Sequence, residues 1–219
     1  LNDLGVTVPP TSWRDLADPK YFGQVGLTDP TKSGSIAKAF EMIIQTTIHE
    51  TLANAKFTNE QIAENEKAIA AYKATKKPYT RGDVPPELAD YQAAVERGWA
   101  DGLSLVQQIG ANARYFTDSA NKVPIDVSTG DATVGMCIDF YGRYQAQVAT
   151  PAGQPPRMMY VTPAGGTSVS ADPASLLRGA PNREVAEHFL AFVLSVDGQR
   201  LWTQKPGTPG GPEKYALRR

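Results

Sequence analysis

Apolar residues recur at intervals of three or four in several stretches, and this spacing predicts helices that each bury one face. The first such helix opens after Ser33-Gly34-Ser35, and its apolar positions are Ile36, Phe40, Ile43, Ile44 and Ile48. Capping and turn residues place the remaining helices, which are expected at 11–16, 58–77, 86–110, 122–130, 182–194 and 195–204. The helix over 58–77 starts in a Thr58…Gln61 capping box and is polar enough to be exposed.

Short apolar runs between these helices predict strands. They are expected at Val25–Thr28, Ala113–Thr117, Thr133–Ile138 and Met158–Val161. The third run is almost continuously apolar, as in a strand that is covered on both faces. Strands that alternate with helices predict an α/β fold, with a central mixed or mostly parallel sheet flanked by helices.

Composition narrows the class of protein. The 219 residues suit one large domain or two small ones, and 22 Lys and Arg against 23 Asp and Glu give a net charge of −1. Nonspecific binding to nucleic acid or to an anionic membrane needs an excess of positive charge. The balanced composition therefore excludes these two kinds of binding. No apolar run approaches the roughly 20 residues that span a bilayer. The single cysteine, Cys137, excludes an internal disulfide and is expected to be a small buried hydrophobe.

Common catalytic signatures are missing from the sequence. There is no nucleophile elbow, Walker A loop, G-x-G-x-x-G or H-E-x-x-H, and His49 and His188 are expected to be ordinary helical histidines in solvent or at the edge of the core. The sequence therefore favours a binding protein over an enzyme. An enzyme acting on a small anionic substrate is the alternative, with Asp139, Tyr141 or Arg143 as its only candidate groups.

Three polar junctions between a strand and a helix are candidate ligand sites. At Ser33, Gly34 and Ser35, the first N–H groups of a helix and two hydroxyls can cradle an anion, although Ser33 can equally be a simple N-cap. Asp118 to Asn121 forms a second junction with the same two interpretations. The third is Asp139 to Tyr144, which can bind a polar solute or a metal, or can start a helix whose aromatics pack on the surface.

The order of several short motifs resembles the periplasmic solute-binding proteins of ABC importers, within the group that contains the ferric-iron-binding proteins. The motifs are Thr11 to Leu16, Asp29 to Ser35, Gly130 to Gly135, Pro163 to Thr167, Gly179 to Asn182 and Ser195 to Gln199. The resemblance implies two α/β lobes that close on a solute, and a periplasmic or membrane-tethered extracellular location. It also implies an ABC permease as partner and a monomeric binder.

The resemblance further implies a division of the chain and a role for particular residues. Residues 1–165 resemble the second lobe, with 54–85 as a helical insertion, and 166–219 resemble the return through the hinge. Because neither end looks like a terminus, the chain is expected to be an excerpt. The implied ligand-binding residues are Ser33, Gly34, Ser35, Ser119, Asn121, Asp139 and Tyr141.

The nature of the solute stays open at the level of sequence. Relatives that bind ferric iron carry two adjacent tyrosines where this chain has Phe140-Tyr141, so only Tyr141 can act as a phenolate ligand if the solute is iron. No cofactor is expected beyond that possible metal cargo. Relatives also carry phosphorylated sugars, phosphonates, thiamine or polyamines, and the anion cradle favours an anionic solute. A ligand-sensing regulatory domain is a third interpretation.

Overall fold

The computed structural model describes residues 5–75, 83–151, 153–171, 173–204 and 206–213. Within these residues the helices are α1 (Gly34–Asn54), α2 (Asn59–Thr75), α3 (Ala89–Ala111), α4 (Lys122–Thr129), α5 (Asp139–Val148), α6 (Arg183–Leu194) and α7 (Val196–Thr203). The strands are β1 (Val25–Thr28), β2 (Ala113–Thr117) and β3 (Val134–Gly135). Short 3-10 helices lie at Arg14–Ala17, Pro19–Tyr21 and Pro86–Leu88.

The three strands form one parallel sheet in the order β2-β1-β3. Thr28 pairs with Thr117 and Gly26 with Gly135, so the three strands end at one edge. Each strand is followed by a helix, and the N-termini of α1, α4 and α5 therefore lie near this carboxyl edge of the sheet. The expected α/β fold with a parallel sheet is confirmed.

Helices α1 and α3 cover one face of the sheet. Their apolar side chains form the main core with those of the sheet and the N-terminal segment, a cluster that includes Leu16, Tyr21, Val25, Leu27, Ile36, Ile43, Leu105, Ile109 and Met136. Asn112, just after α3, donates both hydrogens of its side-chain amide, to the Leu16 and Asp18 carbonyls at 2.8 Å each. These two bonds hold the N-terminal 3-10 helices against the start of the sheet.

Helix α2 packs on a second, smaller cluster beside the far halves of α1 and α3. The buried members of this cluster are Ile48, Leu52, Ile62, Ile69, Leu88, Tyr91 and Ala94. The expected capping box is present, because Thr58 N donates to Gln61 Oε1 at 2.9 Å and Gln61 N donates to Thr58 Oγ1 at 3.2 Å. The predicted end of this helix at Lys77 lies outside the described residues.

Helix α4 covers the other face of the sheet and is tied to it by one buried carboxylate. Asp126 of α4 accepts hydrogen bonds from the Tyr115 hydroxyl of β2 and from Lys122, whose ammonium also lies 4.8 Å from the centre of the Tyr115 ring. Burial opposes ionisation of Asp126, but the bonds from Lys122 and Tyr115 outweigh it and hold the pKa of this carboxyl below its usual value of 3.8.

We expect this carboxylate to contribute to the acid sensitivity of the fold. A carboxyl whose pKa is depressed in the folded state stabilises the protein above its unfolded pKa, and the contribution is lost as the pH falls through the folded value. The free energy of unfolding should therefore fall below about pH 4, and Asp126→Asn should flatten that fall in urea titrations. Asp101→Asn, at an exposed position of α3, is the control. Equal acid slopes for Asp126→Asn and wild type would contradict the prediction.

Four sequence predictions about elements and their boundaries are wrong. Met158–Val161 forms no strand, and only Val134 and Gly135 of the predicted strand 133–138 pair in the sheet. Helix α3 continues past Gly110 and is capped by Asn112, whose N–H bonds back into the last turn. The N-terminal segment forms a 3-10 helix, in which the Asp15 carboxylate accepts from the N–H groups of Thr11 and Ser12.

Candidate functional site

A large open cleft lies beside β3, an edge strand of the sheet, and reaches the starts of α1 and α5. It has a volume of about 1600 Å³. Its floor is β3 with the residues on either side of it, the start of α1 and α5, and one side of α4. Its walls are the N-terminal segment from Pro9 to Trp13 and the stretch from Pro156 to Ser170, and Trp202 of α7 also reaches it. The position at the ends of parallel strands is the usual one for ligands in α/β folds.

The start of α1 is open to this cleft. Ser33 is the N-cap and its hydroxyl accepts from Ile36 N at 3.5 Å, while the first intrahelical bond runs from Ala37 N to Ser33 O at 3.0 Å. The N–H groups of Gly34 and Ser35 precede that bond, and both residues are exposed and line the cleft. No atom lies within 4 Å of the position that a Cβ would take at Gly34. The cradle is therefore unobstructed.

The loop that leads into α1 is held by its own hydrogen bonds and by the neighbouring strand. Asp29 N donates to Thr117 O of β2 at 2.8 Å, and Asp29 Oδ1 accepts from both the hydroxyl and the N–H of Thr31 at 2.8 Å. Those two bonds, the hydroxyl first, hold the pKa of Asp29 below its usual value. The helix start is thus fixed relative to the strand ends without using the Gly34 amide.

The structure brings only some of the predicted site residues into the cleft. Gly34, Ser35 and Asp139 line it, and Asp139 is the first residue of α5. Ser33, Ser119, Asn121 and Tyr141 are not among the lining residues. The Ser119 hydroxyl donates to the Asn121 side-chain carbonyl, so these two residues bond to each other within the loop before α4.

The charged residues of the cleft lining are Lys38, Asp139, Arg143 and Arg157, which is three cations against one anion in a chain of net charge −1. Asp139 and Arg143 were already candidates in the sequence, whereas Lys38 and Arg157 were not. Lys38 forms an ion pair with Glu41 on the same helix. No local pattern marks Arg157, and the approach of all four residues to one cleft is a property of the tertiary structure.

The stretch from Pro156 to Ser170 is held against the rest of the fold at one tight turn. Gly166 N donates to Pro163 O at 3.1 Å, and the turn requires the positive φ of +67° at Gly165. Trp13 Nε1 donates to Gly166 O at 2.6 Å, and Thr46 Oγ1 of α1 donates to Gly165 O at 3.2 Å. Two successive carbonyls are thus held from two sides, and this wall of the cleft has a defined position.

Cys137 is partly buried and lines the cleft, so it is less enclosed than the sequence predicts, whereas the two histidines lie in solvent as expected. Burial, with a smaller effect of the Asp139 carboxylate, raises the pKa of the Cys137 thiol to about 12. His49 and His188 are exposed on α1 and α6. Across the described ranges, no three His, Cys, Asp or Glu side chains cluster closely enough to hold a metal ion. Nor does any described helix have the length and apolar character that crossing a membrane requires.

Thr28, the last residue of β1, carries an unusual buried hydroxyl. Its side chain is completely buried, and Thr28 Oγ1 has no hydrogen-bond partner in the described part of the chain. An unpaired buried hydroxyl costs about 1–3 kcal/mol. Thr28→Val, which keeps the shape, should therefore raise the free energy of unfolding by about 1 kcal/mol in urea denaturation.

Thr47→Val is the matched control for this substitution. Thr47 is equally a buried threonine, but its hydroxyl donates to Ile43 O at 2.9 Å. Its replacement loses a formed hydrogen bond and should be neutral or destabilising by up to about 1.5 kcal/mol. If Thr28→Val destabilised the protein more than Thr47→Val, the interpretation that the Thr28 hydroxyl is unpaired would be wrong.

The chain combines a parallel sheet flanked by helices with an open cleft whose charged lining residues are mostly cationic. Residues 2–205 match the family described as bacterial extracellular solute-binding protein, and the chain belongs to that family. An uncharacterized protein of Haemophilus influenzae is 22% identical over 205 residues, which are 93% of this chain and 43% of that protein.

The fold is also similar to that of a solved structure. The periplasmic binding protein AfuA from Actinobacillus pleuropneumoniae, determined with exogenous fructose-6-phosphate bound, matches with a TM-score of 0.55 and 20% identity. The match covers 99% of this chain and 56% of AfuA. The chain therefore spans about half the length of the relatives it matches.

Proposed function

We propose that this lobe binds a small solute through a phosphate or carboxylate group held at the start of α1, as part of a solute-binding component of an ABC importer. The observation that carries the proposal is the unobstructed helix N-terminus at Gly34 and Ser35, in a cleft whose charged side chains are mostly cationic. The partial positive charge of a helix N-terminus and its unpaired N–H groups stabilise an anion.

The rest of the solute has a different surface to contact. Trp13, Met158, Met159 and Trp202 also line the cleft. Apolar and aromatic side chains around a few polar groups are typical of small-molecule sites. A solute with an anionic group and a larger body, such as a sugar phosphate, fits both parts. The sugar phosphate bound to AfuA supports this class of solute.

The family supports a proposal for the location of the protein and for delivery of its solute. We place the protein in the periplasm or tethered outside the membrane, where closure of a second lobe over the cleft presents the solute to a membrane permease. Catalysis forms no part of this role, since the solute is released unchanged. The family and AfuA are both described as binding proteins, which supports this assignment.

Ferric iron is the less favoured solute. Tyr141, its one expected phenolate ligand, does not line the cleft, and its ring lies 5.3 Å from that of Phe140. The solute bound in the AfuA structure is a sugar phosphate. Tyr141→Phe should therefore leave the binding of anionic solutes unaltered.

Native mass spectrometry of the full-length protein as isolated, followed by calorimetric titration, tests the proposal. We expect a copurified organic anion, or micromolar or tighter binding of fructose 6-phosphate or inorganic phosphate. We also expect fructose 6-phosphate to be recovered unchanged after long incubation. Binding of ferric iron without any of these anions, or chemical conversion of the sugar phosphate, would overturn it.

A further inference from the structure

Arg143 lies on α5, one turn after the carboxyl edge of the sheet, where the cleft meets a second, shallower groove. Arg143 lines both the cleft and this groove, as does Tyr160 of the stretch from Pro156 to Ser170. The Arg143 guanidinium carbon is 5.1 Å from the centre of the Tyr160 ring. Stacking on an aromatic face stabilises a guanidinium and restricts the rotamers of a long side chain. Arg143 is thus an exposed cation with a preferred direction.

The Tyr160 ring has its position because residue 142 is a glycine. A Cβ at Gly142 would lie 2.4 Å from Tyr160 Cδ2 and 2.9 Å from Cys137 Sγ. Both distances are shorter than real Cβ contacts, so any side chain there would displace the ring. Gly142 is buried beneath it. Gly142 therefore leaves space for the Tyr160 ring, and the next residue, Arg143, is the cation that stacks on this ring.

The charged residues that share the cleft lining with Arg143 are two cations and one carboxylate. They are Lys38, which forms an ion pair with Glu41, then Arg157, and Asp139, which is four residues before Arg143 on α5. The cleft around Arg143 therefore favours an anionic group of the solute. A guanidinium presents two parallel N–H donors to two oxygens of one group, which suits a phosphate better than a hydroxyl. Neutral solutes offer no such match.

From this arrangement we infer that Arg143 determines specificity for a phosphate group on the solute, and that Tyr160 and Gly142 position it. The inference rests on the proposed function, because it concerns the same cleft. Arg143 is not among the residues expected to bind the anion at the start of α1. We assign to Arg143 the discrimination between a phosphorylated solute and its neutral counterpart. Gly142 and Tyr160 act through Arg143 and need not touch the solute.

The test is a set of calorimetric titrations of the full-length protein with fructose 6-phosphate, inorganic phosphate and fructose. Arg143→Gln should weaken binding of fructose 6-phosphate at least tenfold, as expected for the loss of charge-assisted hydrogen bonds. Arg143→Lys keeps the positive charge but loses the two parallel N–H donors of the guanidinium, so the loss of affinity should be intermediate. Arg114→Gln, an exposed arginine of β2 outside the cleft lining, is the matched control and should bind as wild type does.

A double-mutant cycle separates positioning from general stability. Gly142→Ala should weaken fructose 6-phosphate binding severalfold in wild type but cause no further loss in the Arg143→Gln background, a coupling that general destabilisation would not produce. If Gly142→Ala does not fold, Tyr160→Leu replaces it in the cycle. Additive losses would overturn the positioning role.

Two failures of the main inference are distinguishable. If wild type binds fructose 6-phosphate or phosphate and Arg143→Gln binds equally well, the role of Arg143 is wrong and the proposed function stands. If wild type binds neither anion but copurifies with a carboxylate solute, the role of Arg143 is wrong and the proposed function stands. If wild type binds neither anion and copurifies with no organic anion, both are wrong. An equal loss of fructose and fructose 6-phosphate binding in Arg143→Gln would also overturn phosphate selection.

Discussion

Gly98→Ala is expected to lower the free energy of unfolding by about 2–3 kcal/mol, because α1 and α3 cross without room for a side chain. A Cβ at Gly98 would lie 2.6 Å from Ile48 Cα, and one at Gly102 would lie 2.8 Å from Ile44 Cα. Both obstructing atoms belong to the α1 backbone, so no rotamer change can relieve the contact. The helices would have to separate, which would loosen the cores on both sides of the crossing.

Gly110→Ala provides the control in the same helix. The nearest atom to its Cβ position is Phe116 Cζ at 3.8 Å, an ordinary contact. Alanine is the better helix former, and the substitution should raise the free energy of unfolding by up to about 1 kcal/mol. Urea denaturation monitored by circular dichroism measures both variants. If Gly98→Ala were as stable as Gly110→Ala, the close crossing of α1 and α3 would be wrong.

Gly34→Phe is expected to reduce solute affinity at least tenfold while leaving the fold intact. The Cβ position at Gly34 is in open space, so the lobe itself has nothing to displace. A phenyl ring there would occupy the volume in front of the Gly34 and Ser35 N–H groups. Each of these two groups can donate a charge-assisted hydrogen bond to an anion, and the ring would block both. Calorimetric titration with fructose 6-phosphate measures the loss.

Ala37→Phe supplies the comparison for Gly34→Phe. Ala37 is exposed on the same helix, but outside the cleft lining, so the same added ring should leave affinity unchanged. Thermal unfolding of the two variants checks that both are folded. Unchanged affinity in Gly34→Phe would rule out the helix start as the anion cradle, whatever the solute.

Helices with strong local signals were predictable from sequence. Their apolar spacing, the Thr58…Gln61 capping box and the left-handed C-cap at Gly130, with φ of +90°, are all properties of a few neighbouring residues. The alternation of strands and helices was likewise sufficient for a parallel sheet. These signals act over one or two turns, and no distant contact overrides them here.

The predicted strand at Met158–Val161 shows where local pattern fails. Its apolar run is typical of a strand, but here the stretch packs over α5 with the Tyr160 ring against Gly142 instead of pairing with the sheet. The space above Gly142 depends on two segments that are not neighbours in sequence. For the same reason the sequence named Arg143 as a candidate but could not reveal its stacking partner.

The sequence by itself determined the fold class, the starts of α1 and α2 and the presence of a glycine in the first turn of α1, because each depends on neighbours along the chain. The tertiary structure alone decided which of the polar junctions share a cleft. Gly34, Ser35 and Asp139 lie in it, whereas Ser119 and Asn121 bond to each other and Tyr141 lies outside the lining. The positions of these residues relative to the cleft depend on the strand register and on close packing at glycines. Neither is encoded in a short run of residues.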